Sequence, residues 1–185
     1  MSFARITASV AVFAAGCACL AGCATAPSTK AEKQSLQQQA DATLSSMIAQ
    51  DPELRDVTRN ALAYAVFPSV GKGGVLVGGA YGKGILYEGG MPTGFVSLEQ
   101  ASIGAQLGGE SFSELLVLRS PADVSALKSG KYSVGAGASA VVLSSGAAAH
   151  TTFDPNASVF VMQRGGLMVD VSVSGQQIKY QSFNA

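Results

Sequence analysis

Cys23 has the most specific chemical setting in this chain of 185 residues. It follows Leu20-Ala21-Gly22, and these small residues close an apolar, uncharged stretch, Ile6–Leu20, that comes after the single cation Arg5. A short basic start, an apolar middle and a small-residue end are the layout of a secretory leader. A cysteine at the end of such a leader has the setting of a lipobox, in which the thiol is joined to diacylglycerol and the chain is cut before the cysteine. Cys17 follows Ala14-Ala15-Gly16 and lacks the leucine three residues earlier. An uncleaved span needs about 20 apolar residues, whereas this run contains Thr7 and Ser9 and is followed by polar residues from Thr25 to Lys33. Residues 1–22 therefore read as signal peptide. Ala24 is not an aspartate, so the sorting position suggests the outer membrane, with the domain facing the periplasm or the surface.

Other reactive residue types are sparse. His150 is the one histidine, which excludes a histidine-based metal cluster and leaves a Ser-His-Asp set only that residue to run through. Gly109-Glu110-Ser111-Phe112-Ser113 lacks the second glycine of a nucleophile elbow. Gly78-Gly79-Ala80-Tyr81-Gly82-Lys83-Gly84 is one residue short of a phosphate loop and has glycine where a hydroxyl should hold Mg²⁺, so it reads as a glycine-bent hairpin. Glu88, Glu99, Glu110 and Glu114 are scattered, and solvated strand faces account for them. The expectation is a non-enzymatic protein with no cofactor and no metal. Binding chemistry is better represented. Arg55 and Arg59 lie four apart on one helix face, and Lys72 and Lys83 lie in glycine-rich turns whose N–H groups suit a phosphate. These four are the candidates for a lipid headgroup.

Charge and cysteine usage bound the partners. Without Arg5 the chain keeps 11 of its 12 basic residues against 12 acidic ones, with no run of either sign. Nucleic acid is not an expected partner, because its binding needs clustered cations. All three cysteines lie at or before position 23, so no intrachain disulfide is expected after cleavage, and a core must hold the domain. About 150 residues bury roughly 68–70% of their surface on folding, which suffices for one domain.

The elements that position these residues follow from periodicity. Residues 23–33 read as lipidated cysteine and flexible tether, and 34–185 as the domain. Leu36, Ala40, Leu44, Met47 and Ile48 recur at helical spacing. Asp51-Pro52 opens a second helix with Leu54, Val57, Ala61 and Leu62 inward, and Phe67-Pro68 ends it. From there the period is two. Short strands are expected at Val75–Val77, Ile85–Tyr87, Phe95–Leu98, Ile103–Leu107 and Ser113–Leu118, paired as an antiparallel meander. Ser120-Pro121 starts a short helix with Val124 and Leu127 inward, stopped by Ser129-Gly130. Strands resume at Tyr132–Val134, Ala138–Leu143, Val159–Gln163, Leu167–Val173 and Gln177–Tyr180. The fold class is α+β, with N-terminal helices packed on a curved, mainly antiparallel β-sheet or small barrel-like β-structure.

Two long blocks carry a family resemblance. They are Asn60-Ala61-Leu62-Ala63-Tyr64-Ala65-Val66-Phe67-Pro68-Ser69-Val70-Gly71-Lys72-Gly73-Gly74 and Val77-Gly78-Gly79-Ala80-Tyr81-Gly82-Lys83-Gly84. Ala101-Ser102-Ile103-Gly104-Ala105-Gln106-Leu107-Gly108-Gly109-Glu110 and Gly135-Ala136-Gly137-Ala138-Ser139-Ala140 continue them. From about Ala31 to Tyr180 the chain resembles the SYLF domain, also called Ysc84 or the Las17-binding actin regulator domain. Gly165-Gly166-Leu167-Met168-Val169 follows the family's final small-residue strand only loosely. The resemblance implies a membrane-binding module, since eukaryotic members bind phosphoinositides and act near actin assembly. The expected partners are membrane lipid through acylated Cys23 and an anionic headgroup. The alternative is a structural or protein-interaction lipoprotein recognising another envelope component or a host surface.

Overall fold

The computed structural model describes residues 25–74, 77–103, 108–135, 140–144, 147–148, 157–165 and 175–184. Its elements are α1 (Lys30–Gln50), α2 (Leu54–Arg59), β1 (Ala63–Gly74), β2 (Val77–Glu88), β3 (Met91–Ile103), β4 (Gly108–Leu118), α3 (Pro121–Lys128), β5 (Tyr132–Ser133), β6 (Ala140–Ser144), β7 (Ala147–Ala148), β8 (Ala157–Gly165) and β9 (Gln177–Ser182). Among the described residues, the strands form one nine-stranded sheet in the order β5-β9-β3-β2-β1-β4-β8-β6-β7. Every pairing is antiparallel except β6 with β8. The class is α+β, as the periodicities require.

Three features differ from the sequence expectation. First, the second helix stops at Arg59 and β1 already begins at Ala63. Tyr64 and Val66 point to one side of the sheet and Ala63, Ala65 and Phe67 to the other, so this apolar run satisfies strand alternation with both faces buried. Second, Pro68 does not end an element but lies inside β1. It occupies a bulge, where Pro68 and Ser69 oppose the single residue Ser113 of β4. The Ser113 hydroxyl donates to the Pro68 carbonyl at 2.7 Å there. Third, the glycines of 71–84 lie within long strands instead of marking turns, so Lys72 belongs to β1 and Lys83 to β2. The meander covers only β1, β2 and β3, because β4 returns to pair with β1.

The β2–β3 connection is the two-residue turn Gly89-Gly90, with φ of +58° and +80°. A type I′ hairpin needs positive φ at both positions, which two glycines supply without a Cβ penalty.

Each sheet face has its own core. One carries Tyr64, Val66, Ile85, Tyr87, Phe95, Leu115, Val117 and Phe160 beneath Ala40 and Met47 of α1 and Leu54 of α2. Side chains of this size contribute about 1.5–3 kcal/mol each when fully buried. The helical stripe therefore packs on the sheet, with Leu36, Leu44 and Ile48 half-buried around it. Tyr64 and Tyr87 stack at 5.0 Å, and the Tyr87 hydroxyl donates to Asp41 at 2.6 Å, fixing α1 across β2. The other face holds Phe67, Val70, Leu86, Val96, Leu98, Phe112, Leu116, Leu118, Val161 and Ile178, closed by Leu127 of α3. That helix forms where its sequence places it: the Ser120 side chain accepts from the Ala122 N–H, Pro121 takes the first turn, and Gly130 follows at φ +70°.

Candidate functional site

The four cations singled out by spacing do not form one patch. Arg55 and Arg59 are exposed on α2, and Arg59 lies 3.7 Å from Asp56 in a solvated pair worth little. Lys72 is 5% exposed, inside the sheet face that carries Val70 and Ala80. Its register neighbours across the sheet are Glu110 of β4 and Ala80 of β2, and Ala80 in turn opposes the buried Gln100 of β3. A headgroup outside the domain does not reach such a position. Lys83 lies on the opposite face, half-buried, and its Nζ donates to the Ala26 carbonyl at 3.3 Å.

That contact revises the tether. Ala26 and Pro27 are buried, Ala26 joins the core beneath α1, and the Ser97 hydroxyl donates to the Thr25 hydroxyl at 3.4 Å. Within the expected tether, Thr25–Pro27 are thus docked on β2 and β3. Helix α1 then starts at Lys30 with a capping box: the Thr29 hydroxyl accepts from the Glu32 N–H, and the Glu32 carboxylate accepts from the Thr29 N–H. These hydrogen bonds, with those from Ser28, hold the Glu32 carboxyl below its ordinary value.

Beside this helix start lies a recess of about 190 Å³, lined by Lys30, Lys33, Gln34, Gln37, Phe95 and Phe183. Phe95 and Phe183 meet edge to face at 4.7 Å, and the Lys33 Nζ sits 5.5 Å from the Phe95 ring centre. Phe183 is 36% exposed, an apolar ring at the rim of a basic hollow. Spacing did not single out Lys30, Lys33 or Phe183, because the β3–β9 pairing sets Phe183 beside Phe95 and α1 brings the lysines to them from a distant part of the chain.

The carboxylates separate into different environments. Glu88 pairs with Lys128 at 3.0 Å and Glu99 with Lys179 at 2.7 Å, both partly solvated. Burial pulls Glu88 upward, but hydrogen bonds from Lys128 and Thr93 outweigh it and hold the carboxyl below its ordinary value. Glu114 departs from the solvated-face expectation. It is 0% exposed on the face of Phe112 and Leu116, and the Gln176 amide donates to it at 2.9 Å. Burial pushes its carboxyl up to about 7, against a smaller lowering by that hydrogen bond. The signal was legible, since Phe112, Glu114, Leu116 and Leu118 share strand parity. His150 and Cys23 lie outside the described residues. Among the described residues, no helix is long and apolar enough to cross a membrane.

The family model described as Ysc84, a Las17-binding protein actin regulator, matches residues 99–183. This stretch is similar to the Ysc84 family. No curated protein matches the chain. The Ysc84 segment contains the end of β3, β4, α3 and all later strands, so Glu114, Gln176 and Phe183 fall within it. Lys30, Lys33 and the docked Thr25–Pro27 precede it and are joined to it through β3 and β9.

Proposed function

We propose that this chain is an envelope lipoprotein, acylated on Cys23, held most simply in the outer membrane, whose SYLF-type domain binds anionic phospholipid or phosphoinositide-like headgroups without catalysing a reaction. The docking of Thr25–Pro27 on β2 and β3 carries the reading, because it joins the segment after the lipid-bearing residue to the folded domain. The Ysc84 match over residues 99–183 supports it, since the resemblance implies membrane binding. A binding role also suits the carboxylates: Glu88 and Glu99 are occupied by lysines and Glu114 is sealed in the core, so none is presented as an acid/base pair.

The words "Las17-binding" in the family description favour a second reading, a protein-interaction lipoprotein that recognises an envelope component or a host surface. A lipid overlay with the chain from Ala24 onward, which retains every described residue, tests the first reading. Retention on anionic but not zwitterionic lipids supports lipid recognition. No retention, together with a specific protein crosslinked in intact cells, supports the second.

A further inference from the structure

With Cys23 acylated as proposed, the short link to Thr25 bears on which edge of the domain meets the bilayer. Two peptide units, about 7 Å of reach, separate Thr25 from the acylated residue, and Thr25 and Ala26 are fixed to Ser97 and Lys83. The attachment point is thus tied to the β2–β3 surface at the start of α1. The same edge carries Lys30 and Lys33 around the recess, with Phe183 exposed at its rim. The capping box engages the Thr29 and Glu32 N–H groups, and the Lys30 and Lys33 side chains are what this edge offers to a ligand. Helix α1 has 21 residues and spans about 30 Å, and it leads away to α2, where Arg55 and Arg59 are exposed at the far end.

We propose that the recess lined by Lys30, Lys33, Phe95 and Phe183 is the membrane-facing seat of the domain, and that it takes the phosphate-bearing headgroups of anionic phospholipid beside the acylated cysteine. This rests on the lipoprotein reading above and names the contact surface. The lysines meet the negative surface, and the exposed Phe183 ring offers apolar surface to the headgroup/acyl boundary. Arg55 and Arg59 are held away from the bilayer by the length of α1.

The test uses the mature acylated chain in vesicles of phosphatidylethanolamine with a minority of phosphatidylglycerol and a trace of lipid carrying a headgroup nitroxide. Cys17 and Cys19 leave with the leader and the Cys23 thiol is acylated, so an engineered cysteine is the only one to take a fluorophore. Asn184→Cys reports on the recess and Arg59→Cys on the far end, both at exposed positions. The expected result is nitroxide quenching at 184 and little at 59, with quenching at 184 lost in Lys30→Glu with Lys33→Glu. Lys30→Gln with Lys33→Gln, checked for native circular dichroism, gives the same loss without charge reversal. Equal or stronger quenching at 59 overturns this orientation, and quenching at 184 that survives both double variants overturns the headgroup role of the lysines, while lipid binding by the unacylated chain still stands. Quenching at neither position overturns the orientation as well. Failure of the lipoprotein reading is separate, and shows as a chain that incorporates no fatty acid.

Discussion

The Nζ of Lys83 reaches the carbonyl of Ala26 at 3.3 Å across 57 residues of sequence, and this contact makes the residues after the proposed acylation position part of the domain. Lys83→Met keeps the aliphatic stem and removes the donor, leaving Ala26 held by apolar burial alone. One such hydrogen bond contributes about 0.5–1.5 kcal/mol, so local opening rises by up to roughly tenfold. The labelling rate of an Ala26→Cys thiol reads this opening. An unchanged rate in the Lys83→Met background means that the contact does not hold the segment.

Glu114 sets a pH dependence of stability. Its folded-state value, about 7, lies above the ordinary 4.5, so the native state binds a proton more tightly than the unfolded chain. The stabilisation is fully present below pH 4.5, declines as pH rises toward 7, and stays lost above it. The change is on the order of 3 kcal/mol. Glu114→Gln keeps an acceptor for the Gln176 amide and abolishes the titration. Urea unfolding at pH 5 and pH 8 measures it: the parent weakens between the two, and the variant does not. Equal slopes in both proteins contradict the assignment.

Close strand approach at Gly84 is the next expectation. A Cβ there would collide with the Val66 carbonyl oxygen and meet the Phe67 ring at 2.8 Å, beside the β1 bulge. At Gly71 a Cβ meets nothing within 4 Å. Gly84→Ala is expected to lose about 1–3 kcal/mol by overpacking, and Gly71→Ala to be near neutral. Denaturant midpoints decide between them, and a Gly84→Ala midpoint equal to the parent's removes the argument.

The local signals in the sequence were those decided by neighbours in the chain. Ser120-Pro121 and Ser129-Gly130 delimit α3 because capping is local, and the Leu36–Ile48 stripe found its sheet because helical spacing leaves one apolar face. Pro68 misled because its missing N–H is accommodated by a bulge made with Ser113, a residue 45 positions away. Lys72 and Lys83 were read into turns because glycine marks turns and close strand packing alike, and only the register between strands separates the two. The recess of Lys30, Lys33 and Phe183 had no local signature, since its parts lie at opposite ends of the chain.

Acylation is tested by substitution at one atom. Cys23→Ser is expected to abolish incorporation of a tagged fatty acid and to leave uncleaved precursor, because the hydroxyl does not replace the thiol as the acylated group. Labelling that persists in this variant moves the assignment to Cys17 or Cys19.

The proposed function requires that the folded domain, without the proposed acyl group, recognise an anionic lipid surface. Flotation of the chain from Ala24 onward with vesicles, measured against phosphatidylglycerol content and salt, addresses it directly. Cofloating is expected to rise with anionic lipid and fall with added salt, since exposed charges are screened beyond about 8 Å at physiological ionic strength. Equal flotation with neutral and anionic vesicles, or none with either, contradicts it.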